Sequence, residues 1–287
     1  MRAFFLVLLL ATSTVVLFGQ GFSGGFKAGL SFNNINGPLE AGEEYSSSTN
    51  FHIGATAVYM FTDIFGAKAE LMYSQKGTKY DYEGDGYFFF NSILGDFEVV
   101  GEGTSGSDYT LTNSYVDLPL MAVVRLGRFE IEAGPSIGVL VGSSANGTLT
   151  FEGSTQQGSN VERFTTDVEY RYLQNDRSFE AQLISGEPLL VNGGTSVTRP
   201  TRIGAYYQAP DNDKNKFAAL EFGLNAGVGF FLNKGLYLGG RVNYGLSDIT
   251  NEEQDVSLAA LAPGNEFITR DDEDTNLSIQ ISLGFRF

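Results

Sequence analysis

Apolar and polar residues alternate with a period of two through much of this chain, most cleanly in NLSIQISLGFRF at 276–287. There Leu277, Ile279, Ile281, Leu283, Phe285 and Phe287 are apolar, and Ser278, Gln280, Ser282, Gly284 and Arg286 fall between them. Successive side chains of a strand point to opposite faces, so this pattern predicts a strand with one apolar and one polar face. The same pattern predicts strands at 26–33, 51–61, 65–76, 115–126, 129–141, 218–232, 236–246 and 277–287. Most reach the roughly 9–11 residues that a tilted strand needs to cross a bilayer. Their connections alternate in length. Thr62-Asp63-Ile64, Gly127-Arg128 and Asn233-Lys234-Gly235 are short, whereas 34–50, 77–114, 142–217 and 247–276 are long.

Short turns at one end and long loops at the other predict an all-β fold: an eight-stranded antiparallel up-and-down transmembrane β-barrel, turns periplasmic and loops extracellular. An even number of strands places both termini on the periplasmic side. Charge phase agrees. Lys27, Lys68, Glu70, Asp117, Arg125, Glu130, Glu132, Glu221, Arg241 and Arg286 oppose the apolar phase of Leu30, Ala57, Leu71, Leu120, Ile137, Leu224, Val242 and Ile281. A charge facing lipid near the midplane costs about 2–4 kcal/mol, which this phasing avoids. Phe61, Phe65, Phe129, Phe230 and Phe287 at one end, and Phe51, Tyr73, Tyr115 and Tyr244 at the other, are expected to form outward interfacial girdles.

Eight strands leave room for side chains and not for an open pore. The ten inward charges, five basic and five acidic, are therefore expected to interlock as a polar plug; the alternative is a narrow ion or proton path. Lys27 and Arg286 should share the periplasmic end, with Glu130 and Glu132 as the acids at that depth. The final aromatics Phe285 and Phe287 are read as a C-terminal signal for the barrel-assembly machinery.

The first twenty residues, MRAFFLVLLLATSTVVLFGQ, carry one cation, an apolar run and small residues near Gly19. They read as a cleaved secretory signal (1–20), with the barrel domain at 21–287. The chain has no cysteine, which excludes a lipid anchor on cysteine, disulfides and thiolate metal sites.

Six segments carry a family resemblance: GFKAGLSFNN (25–34), AKAELMYSQKGTKY (67–80), YVDLPLMAVVRLG (115–127), FEIEAGPSIGVLVG (129–142), FGLNAGVGFFL (222–232) and LSIQISLGFRF (277–287). With them the chain resembles the PorT-like family of small outer-membrane β-barrels, the outer membrane protein beta-barrel domain. The resemblance covers the strands and none of the long connections. It implies outer-membrane location and a barrel of this size, and, through the namesake, a part in assembling a secretion machine. Pro119 within a strand matches the family pattern but is hard to reach from physics, because proline removes a ladder hydrogen bond.

Net charge is −16, and 28 of the 34 acidic residues fall in the four long connections. Nucleic acid is a poor partner for such a surface; outer-membrane lipid, and proteins meeting the loops or turns, are the expected partners. The run Asp271, Asp272, Glu273, Asp274 reads as a solvated rim, or as a weak cation bridge to anionic lipid. Asp211-Asn212-Asp213-Lys214-Asn215 imitates half a calcium loop, but Lys216 stands where the turn glycine belongs. Thr165 to Leu173 and Arg202 to Tyr207 would extend strands above the membrane or enlarge the barrel to ten strands. Tyr87-Phe88-Phe89-Phe90 would cap the barrel mouth or meet a partner. His52, the only histidine, points inward near the outer rim with Ser31 and Ser74 on flanking strands, and no catalytic motif surrounds it. No cofactor, metal or catalytic residue is expected. The sequence thus reads as a non-enzymatic scaffold displaying acidic loops, with an accessory role in secretion or envelope assembly as the alternative and a narrow ion channel third.

Overall fold

The computed structural model describes residues 21–92, 98–176, 182–191 and 195–287, so the expected signal segment, 1–20, lies outside the described residues. Among these are thirteen strands: β1 (Phe22–Asn36), β2 (Glu43–Met60), β3 (Phe65–Ser92), β4 (Glu98–Leu126), β5 (Phe129–Thr155), β6 (Asn160–Arg171), β7 (Leu183–Val191), β8 (Thr195–Ile203), β9 (Leu220–Phe231), β10 (Leu236–Gly245), β11 (Val256–Ala262), β12 (Glu266–Thr269) and β13 (Thr275–Arg286). One 3₁₀ turn, Glu252–Gln254, precedes β11.

Pairing runs β1–β2–β3–β4–β5–β9–β10–β13 and returns from β13 to β1, a closed antiparallel cycle of eight strands. The closing pair aligns Phe26 with Phe285 and Leu30 with Ile281. Along β13 burial alternates residue by residue, with Ile279, Ile281 and Leu283 about half exposed on the outside and Ser278, Gln280 and Ser282 buried inside. Gly127, in the αL region at φ +63°, makes the two-residue turn between β4 and β5. Pro119 faces inward opposite Ser136 of β5. On its other side the β3–β4 ladder skips Glu70 and Leu71 and resumes in the same register at Met72, the gap that a missing N–H leaves.

The limits expected for the first five strands are corrected upward, while β9 and β10 are slightly shorter than expected. β3, β4 and β5 run 28, 29 and 27 residues, so 77–92 and 98–114 are not loop but the upper parts of β3 and β4. At about 3.3 Å per residue such strands span about 90 Å, roughly twice a bilayer with its headgroups. Their upper halves keep the period of two and invert its sense. Tyr80 and Tyr82 point in while Asp81 and Glu83 point out; Leu149 and Phe151 point in while Thr148 and Glu152 point out. An apolar-out search cannot recognise a strand whose outer face meets water.

Irregularities mark the changeover. Between Ser47 and His52 the β2–β3 register slips by one, and between Ser114 and Tyr115 the β4–β5 register does the same. A one-residue slip exchanges the faces of a strand. On β2 the inward residues are His52 and Thr56 below the slip and Tyr45 and Glu43 above it; on β5 they are Glu130 and Glu132 below, Ala145 and Leu149 above. Tyr115, expected in an outward girdle, is instead fully buried, because it shares the phase of Asp117. Of the other girdle aromatics, Phe51, Phe61, Phe65, Phe129, Tyr244 and Phe287 are exposed on the outer face, whereas Tyr73 and Phe230 are half-buried.

Above the eight-strand cycle, β6 pairs with β5, and β8 meets β6 and β3 through two residue pairs each. These contacts close a second, five-strand cycle of β3, β4, β5, β6 and β8, with β7 on the free edge of β8. Neither Thr165–Arg171, now in β6, nor Arg202 and Ile203 of β8 enters the eight-strand cycle, and 205–208 form a turn. Phe88, Phe90, Leu149, Phe151, Phe164 and Ile203 fill this upper lobe as an apolar core. Tyr87 and Phe89, on the other face of β3, are covered by the β11–β12 hairpin through Leu261 and Phe267. The aromatic run at 87–90 is therefore neither a mouth cap nor an exposed contact: both faces are buried.

Replacing Phe88, fully buried at the centre of four aromatic contacts, by alanine should destabilise the upper lobe by about 3–5 kcal/mol. Limited proteolysis should then cut within β6 to β8 while the eight-strand cycle stays protected.

Candidate functional site

The lumen of the eight-strand cycle is built from inward residues of all eight strands and is stratified along its axis. At the turn end Arg286 of β13 makes a bidentate pair with Glu130 of β5, both oxygens at 2.6 Å. Arg125 of β4, about one-third exposed, joins the same carboxylate at 3.2 Å. The Arg286 guanidinium also lies 5.0 Å from the ring centre of Phe231.

The next layer is the densest. Glu70 of β3 receives Lys27 at 2.8 Å, Lys68 at 2.9 Å and Arg241 at 2.7 Å. Glu132 receives Lys68 at 2.7 Å and the Arg241 Nε at 2.9 Å. Three cations thus share two carboxylates, and the Glu70 side chain has no exposure at all. Such buried charges hold together only because each has its partner in reach. The expected grouping of Lys27 with Glu130 or Glu132 is corrected: Lys27 reaches Glu70 instead. Both lie on inward positions flanking β2, where Lys27 stands opposite Gly54 and Glu70 opposite Thr56.

Above this layer sits His52, completely buried, with Nδ1 2.9 Å from the Ser31 hydroxyl and Nε2 2.8 Å from Ser282. It is not at the rim, since β2 continues nine residues beyond it to Glu43. Ser74, the other expected neighbour, donates instead to Asp117. His52 of β2 thus ties Ser31 of β1 to Ser282 of β13 across the lumen.

The third charged layer holds Lys76, which sequence phase should have included because it shares the even parity of Lys68, Glu70 and Ser74 on β3. Its Nζ lies 3.0 Å from Glu221 and 3.6 Å from Asp117, and 5.0 Å from the Tyr115 ring centre. Beside it Asn243 and Asn225 donate to Ser136 at 3.4 and 2.9 Å. The interior therefore holds six cations to five carboxylates, not five to five. An apolar layer of Ile35, Leu111, Leu140, Phe217 and Ile249 closes the top.

The acidic residues before β13 do not form a simple solvated rim. Asp255 and Asp274 are buried, and Arg270 binds Glu43 at 3.1 Å and Asp272 at 2.6 Å. Burial, with Asp255 and Asp272 close by, pushes the Asp274 carboxyl up to about 7. Asn212 of the calcium-like segment is engaged by Lys214 N, by Gln254 and, as donor, by the Glu253 carbonyl. Among the described residues no group of three His, Asp or Glu side chains is arranged to hold a metal ion.

The sequence model of the family described as "Outer membrane protein beta-barrel domain" matches residues 18–251. No curated protein matches the chain. Among solved structures the chain is similar to the attachment invasion locus protein Ail of Yersinia pestis (9% identity, TM-score 0.35, covering 93% of this chain and 99% of that one). It is also similar to Neisserial surface protein A (10%, 0.38, 93% and 100%) and to OprG from Pseudomonas aeruginosa (12%, 0.35, 93% and 96%). Likeness of that order carries no functional information.

Converting Glu70 to glutamine leaves three buried cations with one fewer carboxylate. The change should lower unfolding free energy by about 3–5 kcal/mol, read from urea unfolding in detergent micelles. A shift below about 0.5 kcal/mol would show that the lumenal pairs contribute nothing to stability.

Proposed function

Because the chain belongs to the outer membrane protein beta-barrel domain family, and the protein resides in the outer membrane, we propose that its eight-strand cycle is the membrane-spanning barrel, a sealed and non-enzymatic scaffold for the lobe above it. The observation that carries this reading is the filled lumen: Lys27, Lys68, Glu70, Lys76, Glu221, Arg241 and Arg286 have side chains no more than 5% exposed and are paired across the bore. Eight strands enclose no space beyond what these side chains occupy.

In this reading the short turns at 61–64, 127–128 and 232–235 face the periplasm, and the lobe of β6 to β8 with the upper parts of β3 to β5 stands outside the cell. Lipid contacts the half-exposed apolar residues Leu30, Leu71, Leu120, Leu224, Val242 and Ile281, bounded by the aromatic girdles. Phe285 and Phe287, both exposed, serve recognition by the barrel-assembly machinery. What is displayed is a folded acidic lobe rather than long loops, and protein partners would meet it there. His52, locked between two serines, has no catalytic part.

The strand segments that resemble PorT-like barrels support a second reading, an accessory subunit of a secretion or envelope-assembly complex. Its contacts would lie on the lipid face or at the turns. Cross-linking in intact membranes separates the two, because one predicts attachments on the lobe and the other on the turns.

Purified protein in planar bilayers should show no sustained conductance at neutral pH. Steady open-channel steps would overturn the sealed barrel, and the Glu70→Gln variant tests whether loosening the central layer creates them.

A further inference from the structure

Between the apolar layer over the barrel and the core of the upper lobe lies a cavity of about 120 Å³. Its walls are aromatic to an unusual degree: Tyr45, Tyr80, Tyr109, Tyr170, Tyr172 and Tyr206 all line it. Tyr80 and Tyr109 stack at 4.7 Å, Tyr109 meets Tyr170 edge-on at 6.0 Å, and Tyr170 meets Tyr172 at 5.6 Å. The rings therefore brace one another into a fixed cage. Burial holds the Tyr109 and Tyr170 hydroxyls above the usual tyrosine range, so they stay neutral.

One wall is charged, and its charges do not balance. Glu43, Asp255 and Asp274 line the cavity together with Arg270 and Lys216, and Asp272 stands behind Arg270. Arg270 is taken up by Glu43, Asp272 and the Pro38 carbonyl. Lys216 reaches Asp255 only at 3.5 Å. Four carboxyl groups thus face two cations. Asp274 is 6% exposed and its Oδ1, packed against Gly37, has no hydrogen-bond partner; Asp255, equally buried, has only the Asp272 carboxyl, another acid, beside its Oδ2. A buried acceptor without a partner is costly, and a buried anion more so, unless a proton or a cation arrives.

We propose that this chamber is a binding site for a small organic ammonium ion, with the cationic head against Asp274 and Asp255 and its methyl or aryl groups against the tyrosine faces. Aromatic cages attract such cations through the ring quadrupole, by up to about 2 kcal/mol where water is excluded. A hydrated divalent ion would demand several oxygens converging at short range, which no described group of carboxylates offers. The chamber also falls below the roughly 300 Å³ at which drug-sized ligand pockets begin, so it suits a headgroup rather than an oligosaccharide. The site does not depend on how the barrel is oriented or on what its lumen does.

Protonation competes with the ligand. Asp274 faces Asp255 beyond the 3₁₀ turn, Asp248 before that turn (its Oδ1 accepts the Asp274 N–H), Asp272 and Arg270 in the connection before β13, Lys216 before β9, Tyr45 and Glu43 on β2, and Tyr109 on β4. Its acid-side neighbours and its burial raise it to about 7. The anionic form that attracts a cation is present above that pH and lost as pH falls through it.

The test is isothermal titration of the full mature chain in detergent micelles with benzyltrimethylammonium chloride, and with benzyl alcohol as the neutral comparison. At pH 8 the cation should bind saturably and the alcohol should not. Affinity should fall at least about tenfold at pH 5.5, where Asp274 is mostly protonated. Asp274→Asn should cost about tenfold at pH 8 and flatten the pH profile; Tyr109→Leu should cost up to about tenfold at both pH values. Asp255→Asn is the second carboxyl variant should Asp274→Asn fail to fold, as judged by heat-modifiable gel migration. No saturable cation binding at pH 8, equal binding of the alcohol, or wild-type affinity in both carboxyl variants would each overturn the site.

Discussion

A strand in hydrocarbon has no water to satisfy its amides, so each N–H and C=O must find a partner on a neighbouring strand, and no strand can be left as an edge. The closed pairing from β1 round to β13 meets that requirement. Much else follows from closing the ring at eight. The bore is then only as wide as the side chains that point into it. Polar residues placed there by the outward demand for apolar ones cannot stay hydrated, and each ionised group needs a partner across the bore. The layered pairs Arg286–Glu130, Lys27–Glu70–Arg241 and Lys76–Glu221 are that consequence, reached from strands far apart in sequence.

The upper half of the molecule carries the opposite burial pattern. β3 and β4 cross from one environment to the other without interruption and keep their inward parity throughout, while β2 and β5 switch parity at a single slipped residue. Gly77 sits at this level with φ +152°, where a Cβ would collide with the Leu111 carbonyl. Below the changeover the outside is apolar and the inside polar; above it the order is reversed, and the inside becomes an ordinary core around Phe88 and Phe151. Where the two regimes meet, neither packing rule holds fully. The tyrosines, apolar in body and polar at the tip, accumulate there together with carboxylates that lack enough cations.

How far the sequence is legible varies with the cause of each pattern. The lower strands show plainly, because hydrocarbon on one side forces a strict alternation that few other environments impose. Their inward charges could be named for the same reason, and Lys76 was within reach of the same parity rule. Tyr115 reads as a girdle aromatic only if its parity with Asp117 is set aside. The extended strands above read as loops, since outward Thr, Asp and Glu resemble loop composition, and their inward apolar residues are interrupted by Gly and Ser.

By itself, then, the chain determined where apolar faces must lie, hence an all-β outer-membrane barrel architecture and the membrane it belongs to. Which cation meets which carboxylate was decided only in three dimensions. Pairing across the bore depends on strand stagger, and stagger is set by registers such as Gly29 opposite His52 and Ser282 that no local pattern encodes. The second cycle above the barrel, and the tyrosine chamber beneath it, likewise exist only once β8 has come back to join β6 and β3. The β3–β8 pairs link residues more than a hundred positions apart, and sequence periodicity carries no information at such range.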